Sequence, residues 1–118
     1  MPYVDGFVFP IPKRQIANYR RIARRAGRIW RDYGALEYRE CAGDDLKTSF
    51  GIAFPRLAKV KPGETVGFSW IVYRSRAHRD RVNARVMKDP RMLKMMNDPM
   101  PVELKRMAMG GFKVLVEL

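Results

Sequence analysis

A stretch of basic residues superimposed on a helical pattern of apolar residues most constrains how this chain folds. From Ile16 to Tyr33 the apolar side chains recur at i, i+3 and i+4, the spacing of one helix face. The cations on the remaining surface are Lys13, Arg14, Arg20, Arg21, Arg24, Arg25, Arg28 and Arg31. The pattern predicts a helix with one face in a core and the other strongly positive. Gly34 is predicted to end it.

The charge balance bears on partners more than on fold. A net charge of +12 over 118 residues favours nucleic acid, acidic lipid surfaces or anionic metabolites, although a solvated basic face accounts for it equally well. The length indicates a single domain, residues 1–118. Cys41 is the only cysteine, and no apolar run approaches the length of a membrane span. We therefore expect a cytoplasmic protein with no membrane partner.

The predicted elements follow the order β-α-β-β-α-β. Strand patterns cover residues 3–11, 35–42, 66–73 and 107–117, and a second helix runs from an N-cap at Ser75 towards Lys88. Pro90 is placed to begin a further short helix. Residues 46–60 fit either a helical turn or an edge segment. This order predicts an α+β, ferredoxin-like fold, with an antiparallel sheet and the helices on one face.

Such a sheet leaves its second face without helices. Because strand side chains alternate, this face would carry several of the apolar strand residues, namely Phe7, Phe9, Phe68, Trp70, Ile71, Phe112, Val114 and Val116. An exposed apolar surface of that size is typical of an interface. We therefore predict a homodimer in which two sheets pack face to face and form an α/β barrel.

Five collinear motifs resemble the small bacterial YbaA-like family. They are Tyr3-Val4-Asp5-Gly6-Phe7, Glu40-Cys41 with Asp44-Asp45, residues 68–75 (FSWIVYRS), Asp89-Pro90-Arg91-Met92, and Lys105-Arg106-Met107 through Gly110-Gly111-Phe112. The similarity extends from Met1 to about Glu117. The resemblance implies a dimeric α/β barrel built from ferredoxin-like protomers. The family has no established reaction and its superfamily carries out several, so the resemblance selects no activity.

Asp5 is the first candidate for chemistry. It interrupts an otherwise apolar strand and shares a face with Tyr3, where burial would raise the pKa of an unpaired carboxyl. In the enzymatic hypothesis Asp5 and Tyr3 face a pocket lined by Trp70. An anionic ligand would then use Arg91 or Arg106. The structural alternative is that Asp5 forms an ion pair, for example with Arg106 on the last strand.

Glu40 and Cys41 are the candidates on the second strand, where alternation places them on opposite faces. Glu40 is a candidate ligand-binding residue. Cys41 becomes a nucleophile only beside a base, and His78, the single histidine, is expected on a solvated helix surface. A buried, inert thiol is therefore the favoured interpretation. Asp44-Asp45 is typical of a turn, and we predict neither a metal site nor a cofactor.

Three functions remain open at this level. The first is an enzyme or binding protein, without a cofactor, for a small molecule that is either neutral or anionic. The second is weak binding of RNA or another polyanion through Arg14, Arg21, Arg24, Arg25 and Arg28. The third is an interaction protein whose main property is its dimer. The sequence favours the first and assigns the helix arginines to a solvated surface away from any pocket.

Overall fold

The computed structural model describes all 118 residues and contains one four-stranded antiparallel sheet. The strand order is β2-β3-β1-β4. The strands are β1 (Tyr3–Pro12), β2 (Glu37–Ala42), β3 (Glu64–Tyr73) and β4 (Ala108–Lys113). The helices are α1 (Ile16–Asp32), α2 (Phe54–Leu57), α3 (Arg76–Val86) and α4 (Pro90–Met95). The predicted ferredoxin-like α+β fold is confirmed.

Helix α1 follows the predicted amphipathic pattern. Pro12 ends β1 and is followed by a short 3-10 turn, Lys13–Gln15, from which α1 continues. Ala23, Gly27 and Ile29 are buried towards the sheet, whereas the arginines are exposed. The helix ends before Gly34, whose positive φ of 109° is accessible to glycine without strain.

The second half of the helical layer is held by capping residues. The Ser75 hydroxyl accepts a hydrogen bond from the backbone N–H of His78 at 3.1 Å, as predicted for the N-cap of α3. The Asp89 carboxylate accepts one from the N–H of Arg91 at 2.8 Å and caps α4, which begins at Pro90. None of the helices is long and apolar enough to cross a membrane.

The strand register determines which side chains lie beneath the helices. Tyr3 pairs with Tyr73 and Asp5 with Ile71, and the alternate residues of β1 and β3 therefore point towards the helices. The larger core cluster joins them to α1, α3 and α4, and includes Tyr3, Ile29, Ile71, Tyr73, Val82, Val86, Met92 and Met95. A smaller cluster around Phe9, Ile11 and Val102 closes the other end of this layer.

Helices α1, α3 and α4 leave the opposite sheet face uncovered, and only the short helix α2 packs against it. We call this surface the open face. Its apolar side chains are Val4, Val8, Phe68, Trp70, Val72 and Phe112. Phe68 is 41% and Phe112 62% exposed. Phe54 of α2 packs edge-on against Phe68, with 5.9 Å between ring centroids. The open face is thus a predominantly apolar surface, although Phe7, Phe9 and Ile71 belong to the helix-covered face instead.

One segment differs from its predicted structure, and another had two alternative predictions. The last strand was predicted to reach Glu117 but ends at Lys113, because its partner β1 begins at Tyr3, which pairs with Lys113. Only the N–H of Val114 continues the contact, donating to the carbonyl of Pro2 at 3.2 Å. Residues 46–60 contain the short helix α2, with Pro55 in its first turn.

Candidate functional site

Asp5 lies in a buried polar cluster beneath α3. Its side chain is on the helix-covered face, the residue is 6% exposed, and its carboxylate accepts a hydrogen bond from the Arg79 guanidinium at 3.0 Å. The same guanidinium lies over the Tyr3 ring, 5.0 Å from its centroid. Burial raises the pKa of Asp5, while the Arg79 charge and the polar side chains of Asn83 and Tyr73 oppose that shift.

This cluster is a structural network more than an open site. Asn83 Oδ1 accepts hydrogen bonds from Trp30 Nε1 at 3.0 Å and from the Tyr73 hydroxyl at 3.2 Å, which joins α1, α3 and β3. Asp5 does not line the cleft described below. The alternative interpretation of Asp5 as an ion-pair partner is therefore the one that the geometry favours, with Arg79 rather than Arg106 as the partner.

Arg106 and Arg91 lie elsewhere. Arg106 belongs to a 3-10 turn before β4, and its guanidinium makes two 2.8 Å hydrogen bonds to Glu64, whose pKa it holds down at about 2. Arg91 binds Asp89 and Asp32, at 3.0 and 2.8 Å. Both guanidiniums are thus neutralised by carboxylates. The predicted pairing of Arg106 with Asp5 is wrong.

Trp70 and Cys41 lie on the open face. The register places Trp70 opposite Gly6 and Arg39, on the other side of the sheet from Asp5. Trp70 therefore cannot line a pocket with Asp5, and that prediction is wrong. The prediction of a buried Cys41 is also wrong, because the thiol is exposed on this face. It does lie on the opposite face from Glu40, as alternation predicted.

His78 is buried, and not solvated as predicted, because its side chain packs against the backbone that leads into α3. It is 5% exposed, and its Nδ1 accepts the backbone N–H of Arg74 at 3.0 Å. Burial lowers the pKa of the imidazole, and the charges of Arg74 and Arg81 lower it further. A neutral His78 is therefore a structural acceptor at the start of α3. None of its hydrogen bonds involves Cys41.

A cleft lies between α1 and the edge strand β2. Its volume is about 780 Å³, within the range of small-molecule sites. Phe9, Ile11 and Gly67 form part of its apolar lining. No three histidine, cysteine, aspartate or glutamate side chains are grouped so as to hold a metal ion here or elsewhere.

Glu40 lies in this cleft and is hydrogen-bonded on both carboxylate oxygens. The Tyr19 hydroxyl donates to Oε1 at 2.8 Å, and the Tyr38 hydroxyl donates to Oε2 at 2.7 Å. Burial raises the pKa of Glu40, and hydrogen bonds from Tyr38, Tyr19 and Ser69 partly offset that rise. Burial and the Glu40 charge raise the pKa values of both tyrosines, which therefore remain donors at neutral pH.

The position of Tyr38 depends on a glycine of α1. A Cβ placed on Gly27 would lie 2.6 Å from Cδ1 of the Tyr38 ring, which is well inside contact distance. Because Gly27 has no side chain, the ring fits beneath the helix and its hydroxyl reaches Glu40. Sequence reasoning did not identify Tyr19, Tyr38 or Gly27 as site residues. The i, i+2 spacing of Tyr38 and Glu40 was the available signal, since it places both on one strand face.

The other wall of the cleft is basic. It includes Arg20, Arg24 and Arg28, which are spaced at i, i+4 and i+8 along α1 and are here called the inner row. The ion pairs of the structure involve none of these three residues. Arg31 also lines the cleft, but its guanidinium donates to the carbonyl of Leu36. The prediction that the arginine face lies away from any pocket is therefore wrong.

Comparisons with known proteins support the family suggested by the motifs. Residues 2–104 match the family described as "Protein of unknown function (DUF1428)". The chain is 38% identical over 117 residues to the uncharacterized protein YbaA of Escherichia coli, covering 99% of both proteins. The same identity and coverage hold for YbaA of Shigella flexneri.

Solved structures support the fold alone. Rv0793 from Mycobacterium tuberculosis matches with a TM-score of 0.59 at 17% identity, covering 99% of this chain and 98% of that one. A dimeric ferredoxin-like protein from an uncultured marine organism matches with a TM-score of 0.55 at 12% identity and full coverage of both chains. The family match and the similarity to YbaA establish that the chain belongs to the DUF1428 family.

Proposed function

We propose that this protein binds a small anionic organic molecule in the cleft between α1 and β2, and that Glu40 exchanges a proton with it. The observation that carries the proposal is a carboxyl group of raised pKa inside a cleft whose facing wall bears unpaired arginines. A carboxyl group in this environment binds its proton more tightly than an exposed one. It can therefore donate that proton, or take one up, closer to neutral pH.

The two tyrosines support this role by fixing Glu40. Each hydroxyl donates to a different carboxylate oxygen, which limits rotation of the carboxyl plane. The inner row supports the choice of an anionic ligand, because a cleft with one sign of charge raises the local concentration of the opposite sign. No cofactor is required for binding or for transfer of one proton to or from Glu40.

An NMR experiment tests this proposal directly. The side-chain carboxyl carbon of Glu40 is titrated with and without a set of aromatic carboxylates. We expect a Glu40 pKa above that of exposed glutamates, and ligand-induced shifts confined to α1, β2 and the adjoining part of β3. Glu40→Gln should change the affinity or its pH dependence, whereas Glu117→Gln, at an exposed position, should leave both unchanged. An ordinary Glu40 pKa together with no ligand-induced shift in the cleft would refute the proposal.

We also propose that two copies of the chain pair through the open face. An apolar surface containing Phe68, Trp70 and Phe112 favours burial against a complementary surface, and a second copy presents the same one. A similar solved structure is described as dimeric. Light scattering should give the mass of a dimer for the wild type and of a monomer for Phe68→Glu. Leu93→Glu on α4 is the control; equal masses for the two variants would refute pairing through this face.

A further inference from the structure

We propose that the ligand carries a phosphate group, bound by the inner row, with its organic part extending into the cleft towards Glu40. This inference rests on the proposed function and specifies the chemical class of the ligand. It would be a phosphomonoester or a diphosphate ester. A monocarboxylate would satisfy only part of the basic wall.

The inner row carries positive charge that no ion pair neutralises. Arg20, Arg24 and Arg28 repeat on successive turns, so that their Cβ atoms are about 5–6 Å apart. Like charges at this spacing repel one another and destabilise a helix. None of the three forms an ion pair with a carboxylate of the protein: Asp32 pairs with Arg91, and the Glu40 carboxylate accepts from Tyr19 and Tyr38. The three cations are therefore available to an external anion.

A phosphate group fits neighbouring guanidiniums better than a carboxylate does. A carboxylate carries one charge and is satisfied by a single bidentate guanidinium. A phosphate ester carries about 1.5 to 2 charges and three acceptor oxygens at neutral pH, so it can join two guanidiniums at once. Arginine side chains are long enough for neighbours at i and i+4 to converge on one such group. The wall is the side of a helix, and backbone N–H groups therefore do not replace the side chains.

The basic surface continues from the cleft onto the outer side of α1. The inner row also borders a shallow depression of about 320 Å³ on the outer side of α1, together with Ala17, Arg21 and Arg25. Its side chains are basic apart from that alanine. The positive potential thus continues from the cleft mouth onto the helix surface, while the apolar lining and Glu40 lie inside. A ligand with an anionic end and an uncharged body matches this polarity.

Three probes with the same ring test the inference: phenyl phosphate, phenyl sulfate and benzoate, titrated calorimetrically at low and moderate salt. Phenyl sulfate has nearly the shape of phenyl phosphate but one charge. We expect phenyl phosphate to bind at least about tenfold more tightly than either monoanion. Arg24→Gln/Arg28→Gln should abolish that difference. The control Arg76→Gln/Arg85→Gln removes equal charge from exposed positions of α3 and should preserve it.

The outcomes separate the two proposals. If benzoate shifts the Glu40 resonance and phenyl phosphate binds no better, the phosphate inference is wrong and the proposed function stands. If no probe affects the cleft, both are wrong. Oligouridylate serves as the polyanion arm of the experiment. If it displaces phenyl phosphate and its affinity falls with salt as expected for many phosphate contacts, a nucleic acid is the ligand and the small-molecule inference is overturned.

Discussion

Replacing Gly27 with alanine sets two effects of known size against each other. In a helix interior, glycine to alanine stabilises by about 1 kcal/mol through backbone entropy. Here the added Cβ would lie 2.6 and 2.7 Å from two carbons of the Tyr38 ring. Ordinary carbon contacts are about 3.5–4.0 Å, so the ring must move by roughly 1 Å. Overpacking of this kind costs about 1–3 kcal/mol.

The ring has little freedom to make that movement. The Tyr38 hydroxyl is fixed to Glu40 at 2.7 Å, and the Trp30 ring lies 6.2 Å away, centroid to centroid. Weakening this hydrogen bond to a charged group adds a further cost of about 1.5–3 kcal/mol. The steric and hydrogen-bond costs together exceed the helical gain. We expect Gly27→Ala to lower the free energy of unfolding by roughly 1.5–5 kcal/mol.

Urea unfolding at a fixed protein concentration measures this effect, because a dimer would make the midpoint depend on concentration. The Tyr38→Ala background provides the control. Without the ring, Gly27→Ala should stabilise the protein by about 1 kcal/mol, as in an unobstructed helix. The sign of the substitution should therefore reverse between the two backgrounds. Stabilisation of similar size in both would refute the argument that Gly27 provides the space for Tyr38.

The remaining predictions concern titrating groups. Because the pKa of Glu40 is raised in the folded protein, the free energy of unfolding should fall as pH rises from about 4.5 to that pKa. Glu40→Gln should remove this contribution. An equal pH dependence in the wild type and the variant would contradict the prediction. The His78 imidazole should titrate below 6.5 by NMR, and stability should fall as pH decreases from 6.5 to that value. Arg79→Met leaves buried Asp5 without its ion-pair partner and should lower the free energy of unfolding by about 3–5 kcal/mol at pH 7, and by less in acid, with cleft binding unchanged.

The fold could be predicted from local patterns because each element carries its own signal. The apolar spacing of α1 and the cap at Ser75 depend on neighbours a few residues away, and both predictions are confirmed. The end of β4 could not be predicted in this way. Residues 114–117 have strand-like composition, but a strand also needs a partner, and β1 begins opposite Lys113.

Asp5 and Glu40 show why the site was harder to predict than the fold. Both carboxyl groups lie on the helix-covered face and both have pKa values raised by burial. Alternation shows which face a side chain occupies, but not which residue covers it. Asp5 lies beneath Arg79, 74 residues away in the chain, and is neutralised. Glu40 accepts hydrogen bonds from two neutral hydroxyls within the cleft and forms no ion pair.

The basic stripe of α1 also divides in a way that a helical projection does not reveal. Arg20, Arg24 and Arg28 border both the cleft and the outer depression, whereas Arg21 and Arg25 border only the depression. The division depends on how α1 lies across the sheet, which follows from the burial of Ala23, Gly27 and Ile29. A binding site for a small ligand should depend on the inner row more than on Arg21 and Arg25. A polyanion bound along the helix surface should depend on both sets, so substitutions in the two sets would distinguish the proposed small ligand from a polyanion.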